Sequence, residues 1–201
     1  MGVLTTHVGS LPRPGRLAEL LLARELGDPY DADELDAELR AGVRAAVARQ
    51  VEVGIDVASD GEMSKISYAT YVKDRLTGFG GHSPRQPARD LAPHPEFAKR
   101  MAAFAGEQKF KRMSCIGPIE YVGHRELAAD LARLRDAADA AGATRCFVNA
   151  ASPGLVSAFQ SNEYYPTHEA YVEAIGAAMQ VEYAAIVEAG FDLQLDCPDL
   201  A

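Results

Sequence analysis

Short apolar stretches that break off in polar turns recur along this 201-residue chain, and an amphipathic helix follows most of them. That alternation constrains the fold more than any other feature, because strand and helix in succession lay parallel strands side by side with helices outside them. Val3 to Val8 is the first such stretch and ends at Gly9-Ser10. Arg16 to Leu26 then carries Leu17, Leu20, Leu21 and Leu22 at helical intervals and stops at Gly27-Asp28-Pro29. A second helix starting near Asp33 runs through Leu35, Leu39, Val43, Val47 and Val51 in four-residue steps. It delivers Gly54 to Glu62, a glycine exit, a brief strand and the polar turn Ser59-Asp60-Gly61-Glu62.

The same grammar continues. Phe97 to Phe104 predicts a helical segment, and Lys111 to Ile116 a strand that stops at Gly117-Pro118. Glu126 to Ala141 reads as an amphipathic helix through Leu127, Leu131, Leu134 and Ala138, closed by Gly142. Thr144 to Asn149 is the next strand, with Ala150 to Gly154 as its terminal turn. Tyr165-Pro166-Thr167 marks the entrance to a long helix over Tyr171 to Ala189, and Phe191 to Leu195 is the last strand, ending in Asp196-Cys197-Pro198-Asp199. Residues 78–95, with Gly-Gly, repeated prolines and little periodicity, predict a long excursion loop.

An α/β fold of this kind is either a doubly wound open sheet or a (β/α)8 TIM barrel. No Gly-x-Gly-x-x-Gly follows the first strand and no phosphate-binding Gly-x-x-x-x-Gly-Lys-Ser/Thr occurs, which favours the barrel. A closed barrel needs eight strands and about 250 residues. Residues 1–201 are therefore expected to form an incomplete TIM-barrel domain holding about the first five strands. Uncovered edges predict self-association or a completing chain.

Composition narrows the partners. The formal net charge is -9, which argues against a broad positive surface for nucleic acid; the run Lys109 to Arg112 is a local exception. No apolar run approaches the length of a membrane span, and the opening lacks the pattern of a signal peptide. Three cysteines without close spacing fit a reducing compartment, so a cytoplasmic location is expected.

The chemistry-bearing residues fall at strand ends. Ser10 offers a hydroxyl and neighbouring backbone donors to an anion, or simply caps a turn. Asp60-Gly61-Glu62 puts two carboxylates at one strand exit, where they could hold an ammonium or form a solvated acidic turn. Asp196 directly follows Leu193-Gln194-Leu195 and faces a loop surface. His7 suits proton transfer near neutral pH, and Arg13 suits pairing with a carboxylate; structural hydrogen bonding serves each equally well. Cys197 is a candidate soft ligand or nucleophile, and Cys115 and Cys146 read as core thiols. His82, His94, His124 and His168 form no zinc signature. Tyr164-Tyr165-Pro166 reads as an aromatic wall or as the anchor of a helix entrance.

Four of these stretches occur together in order: Thr6-His7-Val8-Gly9-Ser10-Leu11-Pro12-Arg13-Pro14, Asp56 to Glu62, Ala150-Ala151-Ser152-Pro153-Gly154, and Glu182 to Phe191 running into Leu193 to Ala201. Together they resemble the cobalamin-independent methionine synthase superfamily, and more closely its short single-barrel members, which include epoxyalkane:coenzyme M transferase. The resemblance implies a TIM barrel and zinc-dependent alkyl transfer to a small thiol, with methyltetrahydrofolate as the methyl donor. It implies that Gly9 and Ser10 hold the carboxylate end of an amino-acid thiol and that Glu62 and Asp196 take its ammonium. The family's zinc ligands, a His-x-Cys motif with further Glu and Cys, are expected after the fifth strand, so none is assigned here. One departure stands out: Asp196-Cys197-Pro198 replaces the usual Asp-Glu-Pro and unsettles homocysteine as the thiol. Other readings are a non-catalytic binding relative, epoxide or aryl-ether carbon transfer to a thiol, and a hydrolase or isomerase using Glu62 and Asp196 as acid and base.

Overall fold

The computed structural model describes residues 2–82, 91–105 and 112–200. Helices α1 (Gly15–Leu26) and α2 (Ala32–Glu52) follow the N-terminal segment; strand β1 (Phe79–Gly80), helix α3 (Pro95–Ala105) and strand β2 (Ser114–Cys115) come next. Helix α4 (His124–Ala141), strand β3 (Phe147–Ala151), helices α5 (Pro153–Phe159) and α6 (His168–Glu188) and strand β4 (Asp192–Asp196) complete the order.

Helix ends obey local chemistry. The Asp31 side chain accepts from the backbone N–H groups of Asp33 and Glu34, which starts α2. Gly27 (φ 81°) and Gly142 (φ 69°) close α1 and α4 in the left-handed conformation that an L side chain resists. On α2 the buried stripe is Leu35, Leu39, Val43, Ala46, Val47 and Gln50, and Val51 is only half-buried. Four-residue steps drift by about 40° around a helix with each repeat, so a stripe predicted that way walks off the core by its last member.

Parallel backbone pairing forms one open row. Thr6 pairs with Val57, Ala58 with Cys146, and β3 with β4 from Phe147↔Asp192 to Ala151↔Asp196. Four segments therefore make the row among the described residues, not five. The segment expected as the third strand is displaced: Ser114–Cys115 pairs antiparallel with Phe79–Gly80 and bridges to Asn162. No place is left for it, because the Ala58 backbone donates to Arg145 O (3.1 Å) and accepts from Phe147 N (3.0 Å). A Cβ on Gly78 would lie 2.6 Å from Gly117 O, so glycine permits the close crossing beside this antiparallel pair. Lys111, most of the Lys109–Arg112 run and residues 83–90 of the expected excursion lie outside the described residues.

Strand β3 is buried along its length, as expected of a parallel strand covered on both faces. One apolar cluster packs Leu17, Leu21, Leu39, Val43 and Val47 against Leu127, Leu134, Val148 and Ile186; a second gathers Tyr71, Val72, Leu155, Ile175 and Met179. At the row's margins Val3 and Leu4 on one side and Leu195 on the other are exposed. Among the described residues no helix is long and apolar enough to cross a membrane.

Candidate functional site

Because the row's segments run in one direction, their carboxyl ends share one rim. Gly9-Ser10 leaves the first segment, Ser59 to Glu62 leaves the second, Asn149 lies within β3, and Asp196 ends β4. In parallel α/β sheets this rim is where ligands bind.

The side chains there are joined. Ser10 Oγ donates to Glu62 Oε2, and Asn149 Nδ2 donates both to Glu62 Oε1 (2.6 Å) and to Asp196 Oδ2 (2.9 Å). Gln194, opposite Asn149 in the strand register, reaches Asp196 Oδ1 at 3.4 Å. Glu62 and Asn149 are buried, Asp196 is half-buried and Ser10 is exposed, so the cluster opens on the Ser10 side with Glu62 at its base. Asp60 and Glu62 are thus inside the protein and do not form a solvated acidic turn.

The loop carrying Glu62 is held from several directions. Glu62 itself sits at φ 57°, a left-handed conformation next to Gly61 (φ 65°). Asp60 Oδ1 accepts from Glu62 N (2.9 Å), and Leu11 N donates to Gly61 O (3.0 Å). The Arg13 guanidinium donates to the carbonyls of Glu62 (2.6 Å), Met63 (3.3 Å) and Lys65. Arg13 is therefore spent on backbone, where burial lowers its pKa against the opposing pull of Glu62 and Asp60. Burial also raises the Asp60 carboxyl above its ordinary value, more than the nearby Lys65 charge lowers it.

Behind the cluster Lys65 Nζ donates to the Asn149 carbonyl and to Asn149 Oδ1 (3.2 Å), and lies 4.7 Å from the centre of the Tyr71 ring. The hydroxyls of Tyr71 and Tyr121 both donate to buried Glu182, each at 2.8 Å. Burial, then the Glu182 charge, pushes the Tyr71 hydroxyl well above its usual pKa.

Of the residues singled out from sequence, the structure brings Ser10, Glu62 and Asp196 into one hydrogen-bonded cluster, with Gly9 (φ 96°) beside it and Arg13 beneath it. His7 goes elsewhere. It lines an apolar groove against Leu11, Ala46, Val53 and Met63, and its buried Nε2 has no hydrogen-bond partner among the described residues. Tyr165 is an anchor, stacked on Tyr171 with its hydroxyl accepting from Ile119 N (3.0 Å). Asn149 and Lys65 were not read from sequence as site residues. Asn149 had a signal, a carboxamide ending an otherwise apolar strand, whereas Lys65 had none. A polar cavity of about 530 Å³ adjoins Lys65, but the charges lining it satisfy one another: Lys73 with Glu25 (2.9 Å), Arg75 with Asp130 (2.7 Å), and Arg133 with Asp36 (2.6 Å).

The donor set does not fit zinc. Among the described residues no three His, Cys, Asp or Glu side chains group to hold a metal ion. Glu62 and Asp196 already accept from Ser10 and Asn149, and Cys115 and Cys146 are core thiols whose pKa burial raises.

No family model matches the chain. It is 25% identical over 195 residues to a methionine synthase of Sulfolobus acidocaldarius, covering 96% of this chain and 51% of that protein. A methionine synthase of Pyrococcus abyssi is 26% identical over 198 residues, again covering 96% and 51%. Among solved structures, a B12-independent methionine synthase from Shewanella, in complex with selenomethionine, superposes with a TM-score of 0.71 at 22% identity, covering 96% of this chain and 51% of that one. The chain spans about half the length of the relatives it matches.

Proposed function

We propose that the chain is a relative of the cobalamin-independent methionine synthases, that its four parallel segments are the N-terminal part of a βα barrel, and that their rim grips the amino-acid end of a thiol or thioether. The observation that carries this reading is the pair of carboxylates, Glu62 and Asp196, held by one amide nitrogen at an opening lined by Ser10. An ammonium entering there meets two fixed acceptors, one of them buried, and hydrogen bonds to ionised groups are the strong ones. Among the described residues the backbone N–H groups of Gly9 and Ser10 have no protein acceptor. They are free to take the carboxylate of the same ligand. The complex of the Shewanella relative with selenomethionine supports an amino acid with a soft side-chain atom.

The reaction of the whole protein, in this reading, is alkyl transfer to a small thiol, with methyltetrahydrofolate as the donor and zinc as the group that keeps a thiol nucleophilic. The described residues do not supply that zinc site. What this chain's own residues do is bind and orient: Asp60 and Arg13 fix the Glu62 loop, Glu62 and Asp196 fix the amine, and the thiol end is left pointing away from them. An acid/base role for Glu62 and Asp196 has less support, since both are already tied to the same NH2 group.

Calorimetric titration with L-methionine tests the reading. Saturable binding that Glu62→Gln weakens by about tenfold or more supports it. Binding untouched by Glu62→Gln and by Asp196→Asn overturns it.

A further inference from the structure

We propose that Asn149, pinned by Lys65, is the positioning residue that gives this site its selectivity for an amine. The inference rests on the proposed function above and adds to it the group that sets the spacing of the two acids.

Asn149 Nδ2 carries two hydrogens and spends one on each carboxylate, at 2.6 Å to Glu62 Oε1 and 2.9 Å to Asp196 Oδ2. The two acceptor oxygens can therefore be no farther apart than those bonds laid end to end. Two carboxylates held that close repel each other, and the amide hydrogens between them offset the repulsion. The orientation of the amide is not free. Were it turned over, its oxygen would face both acids and its nitrogen would face the Lys65 ammonium, leaving every pairing mismatched.

Lys65 enforces the correct orientation. Its ammonium donates to Asn149 Oδ1 (3.2 Å) and to the Asn149 backbone carbonyl, so side chain and main chain of one residue are fixed by a single cation. Lys65 is 5% exposed and lies over the Tyr71 ring, which holds the ammonium in place from its far side. Asn149 in turn sits at the centre of a strand buried throughout, paired with Gln194 in the register. The chain thus places a rigid, oriented donor between two acids on adjacent elements. Prearranged acids of fixed separation distinguish an ammonium from an uncharged group, because the ammonium brings a charge and hydrogens to both at once while a methylene brings neither.

The test compares L-methionine with 4-(methylthio)butyrate, its analogue lacking the amine, by calorimetric titration of the 201-residue chain. Wild type is expected to prefer L-methionine. Asn149→Ala, shown to be folded by its thermal transition, is expected to reduce that preference by about tenfold or more while leaving the affinity for the analogue unchanged. Should Asn149→Ala not fold, Lys65→Met decides on the same criterion, and Lys65→Arg is expected to recover part of the preference. A wild type without preference for L-methionine overturns the proposed function itself. A wild type with the preference and a folded variant that keeps it, or that weakens both ligands equally, overturns the positioning role alone.

Discussion

Ser10 donates its hydroxyl hydrogen to Glu62 across the gap between the first two segments of the row, tying an exposed turn to a buried carboxylate. An exposed donor is readily replaced by water, so Ser10→Ala should change stability by no more than about 0.5 kcal/mol. Its effect should appear in L-methionine binding, as a loss of several-fold in affinity. Urea unfolding and calorimetry on the same variant separate the two.

Glu62 holds a left-handed backbone at φ 57° without being glycine. An L side chain in that region costs roughly 1–2 kcal/mol. Comparing Glu62→Ala with Glu62→Gly removes the carboxylate in both and the strain only in the second. Glu62→Gly should be the more stable by about 1 kcal/mol in urea unfolding, while both should lose ligand binding.

Asp60 gives the chain a pH dependence of known sign. Burial raises its pKa above the ordinary 3.8, so the folded state keeps this proton to higher pH than the unfolded chain does. Its contribution to stability is complete below 3.8 and is lost as pH rises through the folded value. Asp60→Asn keeps an oxygen for Glu62 N–H and does not ionise. Thermal melting should show variant and wild type nearest in Tm at pH 4, with the variant gaining on wild type as pH rises towards neutrality.

The alternation of strand and helix was legible because it is written in local chemistry: Gly27 and Gly142 end helices, and Asp196 ends a strand, where the sequence predicts. Helix α5 was missed although Ser152-Pro153 is a start signal, with Ser152 accepting from Leu155 N (3.0 Å), because seven residues are too few for periodicity to register. The number of parallel segments was misread for a different reason. An apolar run such as the one around Cys115 fits any sheet, and only the occupied edge of Ala58 excludes it from this one. Ser10, Glu62 and Asp196 were found as strand ends, whereas Asn149 and Lys65 act through pairings between distant segments that spacing does not encode. His7 reads from the sequence as a candidate for proton transfer, and the structure seats it in an apolar groove instead.

Glu182 supports the wall behind the site. It is buried, accepts from the Tyr71 and Tyr121 hydroxyls at 2.8 Å, and lies 3.5 Å from Arg75 Nη1. Glu182→Ala strands two phenols and part of a buried guanidinium, and should cost about 3–5 kcal/mol. Urea unfolding measures it, and a cost below 1 kcal/mol would mean that this network carries little of the fold.

Ser10, Glu62 and Asp196 together make up the proposed receptor for an amino acid. A crystal structure of the chain soaked with L-methionine tests it most directly. The amine nitrogen is expected within hydrogen-bond reach of both Glu62 and Asp196, with the carboxylate towards the Gly9-Ser10 backbone. Methionine bound with its amine in solvent, or seated away from this rim, would contradict it.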